Sequence, residues 1–128
     1  MSRLNEIELR EEVLAMLVST KSNYEKRLEK YKVDLSKAIL KGEDVDLKHY
    51  NTYSYRILFL TGFINSIEDI NNKITIEDSL IKLIYHHSTT SKILGMDVLE
   101  AIEWYDAKED ALNELKSMVG FVERNNSK

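Results

Sequence analysis

Cysteine and proline are both absent from the 128 residues, glycine occurs only four times and tryptophan once. Without cysteine there is no disulfide framework, no thiolate nucleophile and no thiolate-bound zinc, and a cytoplasmic location is expected. Without proline, and with glycine confined to positions 42, 62, 95 and 120, little interrupts a helix, so apolar periodicity is the main structural signal. No apolar run approaches the roughly 18 to 20 residues that cross a bilayer. The first twenty residues mix Arg3, Glu6, Glu8, Arg10, Glu11 and Glu12 with apolar positions, unlike a secretory leader. No membrane association is expected.

What is present is a balanced chain, 43% hydrophobic and 31% charged with a net charge of −4. Those proportions fit one globular domain spanning residues 1–128, with no linker, internal repeat or low-complexity segment. The periodicity reads helical almost throughout and predicts an all-α bundle of four or five helices.

A long first helix is expected between Leu4 and Leu40, with apolar positions Ile7, Leu14, Leu17, Tyr24, Leu28, Tyr31, Leu35 and Ala38. The last five follow alternating steps of four and three, one narrow seam that would also suit a coiled coil. The segment is either one rod or a pair of helices bent near Ser19, Thr20, Ser22 and Asn23. Gly42, just after Lys41, is the natural stop. Asp46 can cap a second helix whose stripe runs through Tyr50, Tyr53, Ile57, Leu60, Ile64 and Ile67. Its middle, residues 57 to 64, is apolar on nearly every side, which marks it as the central helix, with Gly62 allowing a close backbone approach. Thr75 and Asp78 have the capping-box spacing for a third helix through Ile76, Leu80, Ile81, Leu83 and Ile84. After a short helical segment from Thr89 to Leu94 and a turn at Gly95, Asp97 and Glu100 cap the last helix. Its expected buried stripe is Val98, Ile102, Tyr105, Leu112, Leu115 and Val119, and the tail 123–128 is expected to fray.

Charge is distributed unevenly over this arrangement. Residues 97 to 114 carry seven carboxylates (Asp97, Glu100, Glu103, Asp106, Glu109, Asp110, Glu114) against one base, Lys108. Residues 21 to 41 carry seven bases (Lys21, Lys26, Arg27, Lys30, Lys32, Lys37, Lys41) against three acids. Oppositely charged faces either neutralise each other in the bundle or serve as separate docking surfaces.

The segment from Ser91 to Trp104 (SKILGMDVLEAIEW) resembles the helix-turn-helix motif, with Gly95 at the turn and Val98 and Ile102 at apolar positions of the second helix. It departs from that motif where DNA is read, because the recognition helix would present Glu100, Glu103 and Asp106. A helix with six excess negative charges is repelled by phosphates, so the same feature points to a protein partner.

Nothing marks a catalytic centre. The adjacent His86 and His87 diverge on a helix and lack the i, i+4 spacing of a helical zinc site. The carboxylates of the last helix bring to mind the magnesium clusters of all-α nucleotide pyrophosphatases, but the paired Glu-Glu-x-x-Glu pattern is missing. No nucleophile elbow or phosphate-cradling glycine loop occurs. The expectation is therefore a non-enzymatic chain without cofactor or bound metal. It would act as a small acidic adaptor or inhibitor on a larger, nucleic-acid-processing protein complex. Abundant Ile, Lys and Asn with sparse Arg suggest A- and T-rich codons, as in low-GC bacteria and their phages or mobile elements. The expected partner-binding residues are Glu100, Glu103, Trp104, Tyr105, Asp106 and Asp110. Two alternatives remain: nucleic-acid binding through Lys26, Arg27, Lys30 and Lys37, and a structural role through a coiled-coil seam at Leu28, Tyr31 and Leu35. A homodimer would be compatible with either.

Overall fold

The computed structural model describes residues 5–68, 74–89, 95 and 97–126. Four helices account for them, with no strand among the described residues: α1 (Glu6–Leu40), α2 (Lys48–Glu68), α3 (Ile76–Thr89) and α4 (Val98–Asn126). None of these helices is long and apolar enough to cross a membrane. The segment from Thr90 to Leu94 lies outside the described residues, so the fifth helix and the first half of the helix-turn-helix resemblance do too.

α1 is a single rod of 35 residues, about 50 Å long at 1.5 Å per residue. Its polar stretch near Ser19 to Asn23 does not break it, and the Thr20 hydroxyl donates back to the Met16 carbonyl within the continuous helix. Asn5 and Glu8 close its start as a reciprocal capping box. At the other end Gly42 takes φ +74°, and the N–H groups of Gly42 and Glu43 bond to the carbonyls of Ile39 and Ala38. That is the Schellman closure, which requires a left-handed residue just past the helix. Asp46 accepts from Lys48 N–H at 2.9 Å, Thr75 from Asp78 N–H at 3.1 Å, and Asp97 from Glu100 N–H at 2.7 Å. The caps expected of α3 and α4 are thus in place, whereas at α2 Asp46 stands one residue before the N-cap position, Leu47, and holds the first helical N–H from there.

α1 and α2 form an antiparallel hairpin. Tyr24 meets Tyr53 and Tyr31 meets His49, and the Tyr31 hydroxyl donates to the Asp46 carbonyl in the connecting loop. The seam that alternates by four and three is therefore occupied inside the chain, at least through Tyr31, and is not a free coiled-coil face. α2 is the central helix and packs against both α1 and α4, while α3 packs chiefly on α4. The core gathers Leu9, Val13 and Leu17 from α1, Phe59, Leu60, Phe63 and Ile67 from α2, Ile76 and Leu80 from α3, and Trp104, Ala107, Ala111, Leu115 and Val122 from α4. Glu6 and Arg10 stitch α1 to the start of α3, Glu6 accepting from Ile76 N–H and Arg10 donating to the Ile74 carbonyl.

Several expectations need correcting. Ile7 is exposed, and Leu9 and Val13 join the expected Leu17 in the buried stripe of α1. Nothing lies within 4 Å of a Cβ added at Gly62, so that glycine serves no close approach. α4 extends through Asn126, with Val122 fully buried near its end. On α4 the expected stripe holds in its second half, where Leu112 and Leu115 are buried and Val119 packs against the core, but not in its first: Val98, Ile102 and Tyr105 face outward, and Trp104, Ala107 and Ala111 face in with Met118 and Val122. Two alanines bring α4 close to its neighbours and leave Trp104 to fill the space at its first inward turn.

Candidate functional site

The N-terminal half of α4 presents three faces, and each treats the expected site residues differently. Trp104 belongs to the inward face. It is only 6% exposed, 5.5 Å from the Phe59 ring and 5.0 Å from Tyr105 edge-on. So placed, Trp104 fills the space between α4 and α2 and offers a partner little surface. Lys108 lies on the same face, its ammonium 5.1 Å from the Trp104 ring and 5.5 Å from Tyr105. Burial pushes its pKa down.

A second face turns toward α2 and carries carboxylates that hold the fold together. Glu103 accepts from the Asn51 side-chain amide at 2.7 Å, and Asp110 pairs with Arg56 at 3.0 Å. Glu100 is half-buried. Burial raises the Tyr55 phenol above its ordinary value, and the charges of Glu100, Glu103 and Asp97 raise it further. Part of the acidic ridge is therefore an internal polar seam between α2 and α4.

The third face is open. Val98 and Leu99 are over 70% exposed, Ile102 is half exposed and Tyr105 more than a third. Val98, Ile102, Tyr105, Asp106 and Glu109 follow steps of four, three, one and three, which places them on one side of the helix. Of the expected partner-binding residues, Tyr105 and Asp106 are brought together here, whereas Glu103 and Asp110 are not. Val98, Leu99 and Ile102 were missed as surface residues. The signal that would have found them is the competing stripe of Trp104, Ala107, Ala111 and Leu115, which uses the one tryptophan and fits a helix at least as well.

On α1, Lys26, Lys30 and Lys37 share an exposed side by their spacing of four and seven. Val33 lies among them, also exposed. Arg27 sits apart, over the Tyr24 ring at 5.3 Å, and Lys32 pairs with Glu29 at 3.3 Å. Three bases split by a valine, with acids on the adjoining turns, make a discontinuous phosphate track.

His87 packs its ring edge-on against Phe63 at 5.0 Å and Phe59 at 5.9 Å. Burial lowers its pKa, and the neighbouring His86 and Lys108 lower it further. Among the described residues no three His, Asp or Glu side chains gather where a metal ion would sit. No protein-family model, curated protein or solved structure matches the chain.

Proposed function

We propose that the chain is a non-enzymatic adaptor or inhibitor that docks onto a larger protein complex of nucleic-acid processing through the outward face of α4. The observation that carries this reading is the exposed row of Val98, Leu99, Ile102 and Tyr105 flanked by the exposed carboxylates of Asp97, Asp106 and Glu109 on a capped helix. Large apolar side chains contiguous on one helix face and rimmed by charge mark an interaction surface. Anchors one and two turns apart fit a groove that receives a helix side-on. The complementary groove is apolar with a rim of lysine and arginine, the charge that surfaces handling nucleic acid carry. Long-range attraction to such a rim speeds the encounter, and the apolar row supplies the residence time.

The test uses the full chain as bait in nuclease-treated lysate at two salt concentrations, with Ile102→Asp and Leu99→Asp beside the wild type. A stoichiometric protein recovered by the wild type and lost by both variants supports the reading, given unchanged helicity by circular dichroism. Equal recovery by all three rejects this face. Recovery of nucleic acid alone, lost at the higher salt, favours the Lys26, Lys30 and Lys37 side of α1 instead.

A further inference from the structure

α2 and α4 share a groove on the outside of the bundle. The Asn51 side-chain amide donates to Glu103 at 2.7 Å, which sets those sides of the two helices edge to edge. Leu47 and Leu58 share the Asn51 side of α2 by spacings of four and seven, and Leu99 and Asp106 share the Glu103 side of α4 by spacings of four and three. With Ile102 beside Leu99 and Asp106, the two walls carry four large apolar side chains that are at least half exposed. The charge of the groove has one sign. From Tyr50 to Ile67 the only formal charge on α2 is Arg56, which is turned inward to Asp110 and the Tyr24 ring, while the α4 wall carries Glu103 and Asp106.

The matching surface lies on α1. Lys26, Lys30, Val33, Lys37 and Leu40 follow steps of four, three, four and three on the side opposite the Tyr24 and Tyr31 seam, and all five are exposed. Val33 and Leu40 stand two turns apart, about 10 Å along the helix at 1.5 Å per residue. Phosphates gain nothing from two apolar side chains set among lysines, whereas a helix that lies in an apolar groove is anchored by them. Glu29, at the edge of this stripe, pairs with Lys32 at 3.3 Å, so lysine dominates the centre. The stripe and the groove are therefore complementary in charge, and each supplies apolar side chains to the other.

We infer that α1 of one copy of this chain seats its exposed stripe, residues 26–40, in the α2–α4 groove of another. Val33 and Leu40 lie between the apolar side chains of the two walls, and Lys30 and Lys37 lie toward the exposed Asp106. Because the two surfaces differ, the contact runs head to tail, and each end of the assembly keeps one surface open to a further copy. The groove shares Leu99, Ile102 and Asp106 with the face proposed to bind the larger complex, so association hides that face. The contact itself does not depend on that reading, and its test needs no other protein.

Sedimentation velocity of the purified full chain over about 1 to 100 μM tests the inference. The wild type should grow beyond the 14.9 kDa chain mass as concentration rises, and it should shrink back when about 0.5 M salt screens the lysines. Lys30→Glu with Lys37→Glu spoils the stripe, and Leu99→Lys with Asp106→Lys spoils the groove. Each pair should weaken association about tenfold or more with helicity unchanged, since all four positions are exposed. Mixed in equal amounts, the two double variants should form a species of two chains and no larger, because one brings the sound groove and the other the sound stripe. A wild type that stays monomeric, association indifferent to K30E/K37E, or a mixture no heavier than its components would each overturn the inference.

Discussion

Asp110 on α4 meets Arg56 on α2 at 3.0 Å, and the same guanidinium lies 4.3 Å from the centre of the Tyr24 ring on α1. One arginine thus joins three helices, and its side chain is 17% exposed against 46% for the aspartate. Arg56→Ala should therefore cost about 1–3 kcal/mol, through lost stem packing and the stacked contact as well as the ion pair. Asp110→Ala should cost less than about 1 kcal/mol, since half-exposed pairs are screened. Urea unfolding of both variants measures the asymmetry, and equal losses would show that the ion pair alone matters. Because Asp110 is engaged with Arg56 and lies off the outward face of α4, docking is better probed at Ile102.

His87 gives the fold a pH dependence of defined sign. Burial against Phe59 and Phe63, followed by the charges of His86 and Lys108, puts its folded pKa below the ordinary 6.5. The unfolded chain consequently binds the proton more readily, and stability rises with pH across the interval between the two values. His87 thus contributes stability that is fully present above about pH 6.5 and is lost as pH falls through the folded pKa. Urea midpoints measured from pH 8 down to pH 5 should decline in the wild type. The decline should be shallower in His87→Gln, and an unchanged slope would assign the effect to other groups.

The fold was legible in the residues wherever local chemistry decides structure, and less so wherever packing does. Caps at Asp97 and Thr75 and the glycine stop at Gly42 depend on residues within a few positions and occur as their spacing indicates, and Asp46 holds the start of α2 from one residue before its cap. The rotation of α4 depends on which of two apolar stripes finds partners. Val98, Ile102 and Tyr105 compete with Trp104, Ala107 and Ala111, and the second set wins because the alanines let the helices approach and Trp104 meets Phe59. The same rotation sends Glu103 and Asp110 toward Asn51 and Arg56, so a ridge that is uniform in sequence divides into an internal seam and an outer rim. No spacing rule contains that division, since it is set by what α2 offers.

Gly62 lies within α2, exposed, with nothing within 4 Å of an added Cβ. Its φ is not positive, so an alanine would be unstrained there. The glycine then costs helix stability without any compensating contact. Gly62→Ala should raise stability by about 0.5–1 kcal/mol and leave helicity intact, as read by urea or thermal unfolding. A loss of stability would mean that this face of α2 is covered in an assembly.

Trp104 and Ile102 are two residues apart and should behave oppositely. Trp104 is buried against Phe59, so Trp104→Ala removes a large core side chain and should cost about 3–5 kcal/mol. Ile102 is half exposed, and Ile102→Asp should change stability by less than about 1 kcal/mol. Because Trp104 is the only tryptophan, its fluorescence reports the same distinction directly: the wild type should emit as a buried indole that soluble quenchers reach slowly. Ile102→Asp should leave that spectrum in place while abolishing capture of the partner, and urea should expose the indole in one step. An indole freely quenched in the native chain would return Trp104 to the surface and reverse the assignment of faces on α4.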